Sequence, residues 1–197
     1  QLTIEEYQEK MLEIDLKSHE QYEKCKKRLQ ELSADRIAKE FQGQNTEYSS
    51  GNYLQNCKNC KHCYDIEAGE DLQYCYQVVL GSKNCQDIYQ YGTGIRECYE
   101  CSIVGDNSYH TLFCSQTFVN NADLLYCAFM HNGCKNCFGC CNMKTASYCI
   151  FNKQYSEDEY WPMVDKIKTT MLERGEYGEF FPVPMSPHPY NDTDAQI

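Results

Sequence analysis

Apolar positions return along this chain with two different periods. From Ile4 through Tyr7, Met11 and Ile14, and more loosely through Tyr22, Cys25, Leu29 and Leu32, they keep a three-four spacing, and Thr3 with Glu6 forms a capping-box pattern ahead of them. This predicts helix over residues 1–42, with an interruption at 33–35 before a last piece holding Ile37 and Phe41. From about residue 56 to 150 the period is instead 13: Cys75, Cys101, Cys114, Cys127 and Cys140 lie on one grid, with Ile88 at the missing step. A second column three residues ahead holds Cys85, Cys98 and Cys137, and lapses to Leu72, Thr111 and Leu124. A third, six residues behind the first, reads Gly81, Gly94, Asn107, Asn120 and Gly133, residue types that tolerate a left-handed backbone and mark a corner.

A fixed period of this kind is the signature of a stacked array. Thirteen residues split by a corner leave only strand-length pieces, and Tyr, Val, Phe and Cys suit a pleated surface. The fold expected is a parallel β-solenoid, mainly β, with a helical cap over 1–42, the cysteine-rich solenoid over 43–155, and a C-terminal helix and extended tail over 156–197. Each 13-mer could be one tight coil, or two could share a 26-residue coil. The wider coil is slightly favoured, because a narrow one has almost no interior for aromatics. Polar residues 43–55, with Gly51, read as a lead-in loop. Ser156 with Glu159 starts the last helix, which runs to about Arg174 and stops at Gly175. Pro162 could delay its regular part to nearer Trp161. Beyond it, Pro182, Pro184, Pro187 and Pro189 predict extended chain, with Phe180, Phe181, Met185 and Tyr190 holding it against the protein surface.

The net charge of −11 opposes a broad grip on nucleic acid, which needs Lys and Arg to replace phosphate counterions. Between residues 43 and 150 ten acidic residues meet six basic ones, a net −4 too weak for a phosphate mimic. The basic run Lys24, Lys26, Lys27 and Arg28 reads as a solvated helix face. No apolar stretch is long enough to span a bilayer. Seventeen tyrosines could form a packed ladder or a binding stripe.

The fifteen cysteines admit three readings: reduced buried thiols acting as small hydrophobes, metal ligands, or disulfides. The lapses in the second column favour the first. The best metal candidate is Cys57, Cys60 and Cys63 with His62 between the last two, since two intervening residues let both thiolates reach one zinc ion. Cys98 with Cys101 and Cys134 with Cys137 repeat that spacing, although two inward columns three residues apart generate it without any metal. Weaker candidates are the Cys/His pairs His110 with Cys114 and His131 with Cys134, the glycines around Thr93, the acidic group Asp65, Glu67, Glu70 and Asp71, the carboxylates Asp87, Glu100 and Asp123, and a glycosylation sequon at Asn191 and Thr193.

Asn136-Cys137-Phe138-Gly139-Cys140, the run Tyr148 to Ser156, and the stretches Gly175 to Pro182 and Ser186 to Asn191 resemble an uncharacterised cysteine-rich family from candidate-phyla-radiation bacteria and related metagenomes. The resemblance covers about residues 50–196, corresponding to the C-terminal half of longer members that carry zinc-ribbon-like segments upstream. It implies a reducing, cytoplasmic setting and no particular reaction. A further cysteine pair expected near residues 42–50 is missing, which weakens any metal site shared at that position. The expected function is a non-enzymatic repeat scaffold for a protein partner, without a bound cofactor. The alternatives are a zinc-binding nucleic-acid- or ribosome-associated factor, and a carbohydrate-active solenoid enzyme.

Overall fold

The structure is a computed structural model that describes residues 2–13, 18–34, 36–37 and 39–182. It divides into two compact units, residues 1–40 and 41–197. In the first unit, α1 (Ile4–Leu12) is opened by the expected Thr3–Glu6 capping box, and α2 (His19–Ala34) follows. No residue of either helix is buried. Helix stops at Ala34, short of the predicted residue 42, and Ile37 is 96% exposed. Ile14 and Asp35, in the predicted helix, lie outside the described residues.

The second unit is a parallel β-solenoid of about eight turns. Fourteen strands, from Gly43–Glu47 to Lys153–Gln154, stack in one continuous sheet. The register advances by 11 residues at the first pairing (Thr46↔Cys57), by 12 in the next coils (Tyr64↔Tyr76) and at the last (Cys137↔Cys149), and by 13 between them (Tyr76↔Tyr89, Ser102↔Ser115, Ser115↔Ala128). One coil therefore takes 11 to 13 residues, and the 26-residue coil is excluded. The segment 43–55 is not a loop: Gly43–Glu47 and Gly51–Lys58 pair in parallel as the first coils.

The coil is built from three-residue steps. Every third residue points inward, the next is extended, and the third takes a positive φ that turns the chain, as at Asn56, Asn59, His62 and Asp65 around Cys57, Cys60 and Cys63. Four steps close a four-walled coil. The predicted corner column is where the thirteenth residue enters: Gly81, Gly94, Asn107, Asn120 and Gly133 all have positive φ, and each follows another positive-φ residue. Inward residues stack in four columns. The first wall carries Leu54, Ile66, Val78, Val104, Thr117 and Met130; the second Cys57, Ser82, Ile95, Ser108, Asn121 and Cys134; the third Cys60, Leu72, Cys85, Cys98, Thr111, Leu124, Cys137 and Cys149; the fourth Cys63, Cys75, Ile88, Cys101, Cys114, Cys127 and Cys140. Both predicted cysteine columns thus face the interior.

The bore is narrow and contains no aromatic ring. Where Tyr91 falls on the first wall, its ring is expelled and left 38% exposed, and Gly92 is buried beside it. A Cβ on Gly92 would come within 2.1 Å of the Val79 carbonyl oxygen, so the chain passes there only because the side chain is absent. Aromatics pack outside the rod rather than within it, which removes the reason for preferring a wider coil.

Cysteine suits this bore because the inward backbone is polar. The N–H of Cys127 donates to Cys114 Sγ at 3.4 Å, that of Cys60 to Ser49 Oγ at 3.1 Å, and that of Cys134 to Asn121 Oδ1 at 2.9 Å. In the other direction thiols donate to inward carbonyls, Cys101 to Thr111 O at 3.2 Å and Cys127 to Cys137 O at 3.4 Å. A thiol fills space like a small apolar group while offering a weak donor and acceptor to groups that would otherwise be costly to bury. All fifteen cysteines are free thiols, and only Cys25 and Cys141 are exposed.

Helix α3 (Glu157–Arg174) begins at once after Ser156, whose capping box with Glu159 is complete, so Pro162 lies inside the helix rather than delaying it. It ends at Gly175, whose φ of 69° is the left-handed stop the sequence predicts. Its Tyr160 and Val164 are buried against Leu125, Phe138 and Ile150 on the outside of the third wall. Pro184, Met185, Pro187, Pro189, Tyr190 and the Asn191 sequon lie outside the described residues.

Candidate interaction face

Along the fourth wall, each inward residue has one outward neighbour on either side. Ahead of the column stand His62, Tyr74, Asp87, Glu100, Phe113 and Tyr126; behind it stand Tyr64, Tyr76, Tyr89, Ser102, Ser115 and Ala128. Because the coils stack in register at ~4.8 Å, like residues fall over like. In the N-terminal half this produces two aromatic files. His62 and Tyr74 stack at 5.3 Å, Tyr76 and Tyr89 at 5.6 Å, and Tyr64, Tyr74, Tyr76 and Tyr89 are each about half exposed. Asp87 and Glu100 follow on the next rungs, with Gln86 Nε2 donating to Asp87 at 3.0 Å.

In the C-terminal half the same wall is already occupied. Phe113 and Tyr126 stack at 4.8 Å, and Tyr177, just past α3, lies edge-on to both at 5.9 and 6.2 Å. The Gly178 N–H donates to the Tyr126 hydroxyl at 2.7 Å. Burial raises the Tyr126 hydroxyl above its usual pKa, keeping it protonated.

The third wall divides in the same way. Its outward file Leu112, Leu125, Phe138 and Ile150 lies against the cluster formed with α3, while Gln73, Gln86 and Tyr99 earlier in that file border an open cleft of about 360 Å³ with Asp71, Asn84 and Glu97. Beside it, Asp123 receives the Tyr109 hydroxyl at 3.2 Å and contacts His110 Nδ1 at 2.7 Å. The charge of Asp123 raises the Tyr109 hydroxyl.

The structure treats the sequence-predicted residues unevenly. Cys57, Cys60 and Cys63 sit on three successive walls and are all buried, but His62 lies outside at a corner, stacked on Tyr74, and cannot join them. Among the described residues no group of three or more His, Cys, Asp or Glu side chains is placed to hold a metal ion. The Cys/His pairs are separated in the same way: His110 faces Asp123 and His131 stacks on Phe118 at 5.6 Å, whereas Cys114 and Cys134 are wholly buried. Asp65, Glu67, Glu70 and Asp71 do not share one bend. Asp65 and Asp71 occupy different corners, Glu70 pairs with Lys83, and Asp71 accepts from Asn59 at 2.6 Å. Asp87 and Glu100 occupy successive rungs of one corner, and Asp123 lies on another file, so the three carboxylates do not converge.

Sequence reasoning raised a tyrosine ladder or stripe but did not assign its residues, because these tyrosines follow one another at 12 or 13 residues, masked by tyrosines on other walls. The register of Cys63, Cys75 and Ile88 was the available signal, since each of the three is followed by a tyrosine. No described helix is long and apolar enough to cross a membrane. Comparisons with protein-family models, with curated proteins and with solved structures return no match.

Proposed function

We propose that this chain is a non-enzymatic repeat scaffold that binds a protein partner along the open half of the fourth wall. The observation that carries this reading is the pair of in-register aromatic files, His62 with Tyr74 and Tyr64 with Tyr76 and Tyr89, left half exposed on a wall whose other half receives Tyr177 and Gly178 of the same chain. The occupied half is the template for the open one. There a turn just past α3 lays the Tyr177 ring edge-on against stacked rings, and its Gly178 N–H donates to a tyrosine hydroxyl; a partner segment would present the same two groups to the open half. Tyrosine suits such a face because it offers a large, stiff apolar surface and one polar tip. Asp87 and Glu100 beside the open files favour a segment that also carries Lys or Arg.

The reading is tested by selecting binders from a library of displayed extended peptides. Selected sequences should be rich in aromatic and basic residues, and Tyr76→Ala with Tyr89→Ala should weaken them at least about tenfold, or ~1.4 kcal/mol. Selection of no binders above background, or of binders indifferent to that double replacement, would count against the proposal.

A further inference from the structure

The two helices of the first unit carry apolar side chains that no other described residue buries. In α2, Tyr22, Cys25, Leu29 and Leu32 follow one another at intervals of three, four and three, and every residue between them is polar or charged. Tyr22, Leu29 and Leu32 are each more than half exposed, and Cys25 is one of the two exposed thiols. Helix α1 repeats the spacing with Ile4, Tyr7 and Met11, all exposed. Written as a heptad, Tyr22 and Leu29 take position a, Cys25 and Leu32 take d, and the flanking e and g positions are Lys26 and Arg28. A helix packed on a sheet or a globular core needs a wider stripe that takes in e or g, whereas a stripe confined to a and d is the seam of a coiled coil.

We propose that α2 pairs in parallel and in register with the α2 of a second copy of this chain, as a two-stranded coiled coil. The charges beside the seam choose this occupant. Lys26 pairs with Glu23 at 3.4 Å and Arg28 with Glu31 at 3.2 Å, both within the same helix, so neither cation calls for an acidic partner helix. Lys26 Nζ also lies 6.0 Å over the Tyr22 ring, so its stem closes the edge of the seam. The same two residues set the orientation. An antiparallel pair faces e with e and g with g, which brings Lys26 to Lys26 and Arg28 to Arg28. A parallel pair faces g with the following e, which places Gln21 beside Lys26 and Arg28 beside Ser33 and brings no like charges together. Sixteen residues of largely polar helix are marginal alone in water, so the two copies gain their order by burying each other's a and d side chains. In register, Cys25 faces Cys25 of the second copy. Such a pair presents two rods, and with them two open fourth walls, to one partner; the pairing itself does not depend on those walls.

The test is analytical ultracentrifugation of the reduced full chain at tens of micromolar, followed by brief oxidation with diamide, which takes up the two protons and two electrons released as two thiols join. A dimer is expected, trapped as one disulfide-linked species that is lost in Cys25→Ser and kept in Cys141→Ser, the other exposed thiol. Leu29→Asp with Leu32→Asp should weaken the dimer by more than about a hundredfold and leave the β-sheet circular dichroism signal unchanged. Leu29→Ala with Leu32→Ala, which keeps helix propensity, separates loss of the seam from loss of the helix and should also weaken it. The proposal is overturned by a monomer at that concentration, by a dimer indifferent to both leucine pairs, or by a dimer that is not trapped through Cys25, which would mean antiparallel helices or another surface. A monomer whose Cys25 resists maleimide overturns it as well, because the stripe is then covered by its own chain.

Discussion

The two halves of the third wall put opposite surfaces on one backbone. Read along a single outward file, Lys61, Gln73 and Gln86 give way through Tyr99 to Leu112, Leu125, Phe138 and Ile150, all in register. The polar half is open, and the apolar half lies under α3, whose eighteen residues span ~27 Å, enough for five or six rungs. The interior scarcely changes between the halves. A solenoid separates two problems that a globular core must solve together: the inward residue of each step decides whether the rod exists, and the residue after it decides what the rod touches.

The most severe test of that separation is alkali. Burial pushes the thiols of Cys114 and Cys127 above their usual range, and Cys57 at the other end is raised chiefly by a hydrogen bond with the Cys60 thiol. The folded rod holds these protons more tightly than an unfolded chain whose thiols titrate near ~8.5. Their stabilising contribution is therefore complete below about pH 8.5 and is lost as pH rises through the folded values. Tyr160, on α3 and raised by burial against the rod, adds to the loss above about pH 10. If the interior is one continuous spine, amide protection, corrected for the hydroxide-catalysed rise in intrinsic exchange, should fall in both halves together on raising the pH from 8 to 11. Melting of one half alone would break the comparison.

Replacements on the outward file should separate the halves. Leu125→Ala or Phe138→Ala removes a buried contact with α3 and should cost about 2–4 kcal/mol in urea unfolding. Gln73→Ala or Gln86→Ala, at equivalent positions on the open half, should change stability by no more than about 0.5 kcal/mol. Similar costs in both halves would mean that the polar file is also covered in solution.

The smallest effect concerns two threonines inside the bore. Thr111 donates its hydroxyl to Cys98 Sγ at 3.0 Å, whereas the equally buried Thr117 hydroxyl has no hydrogen-bond partner. Thr111→Val should cost about 1 kcal/mol, and Thr117→Val should be neutral or stabilise by up to about 1 kcal/mol. Thermal melts of the two variants check the opposite signs.

The sequence by itself determined the repeat, the inward direction of both cysteine columns, the corner at Gly81 and its equivalents, and the Ser156 cap and Gly175 stop of α3, because each depends on a local property: a period, a tolerance for positive φ, or a cap. Only the tertiary structure decided the width of the coil and the assignment of each outward residue to a wall. Those depend on how many residues close a turn, and Cys75 and Cys101 lie on the same column whether one coil or two separates them. The separation of His62 from Cys57, Cys60 and Cys63 has the same cause. Close spacing along the chain suggests one site, but a positive φ before each inward residue places neighbours in sequence on opposite sides of the wall.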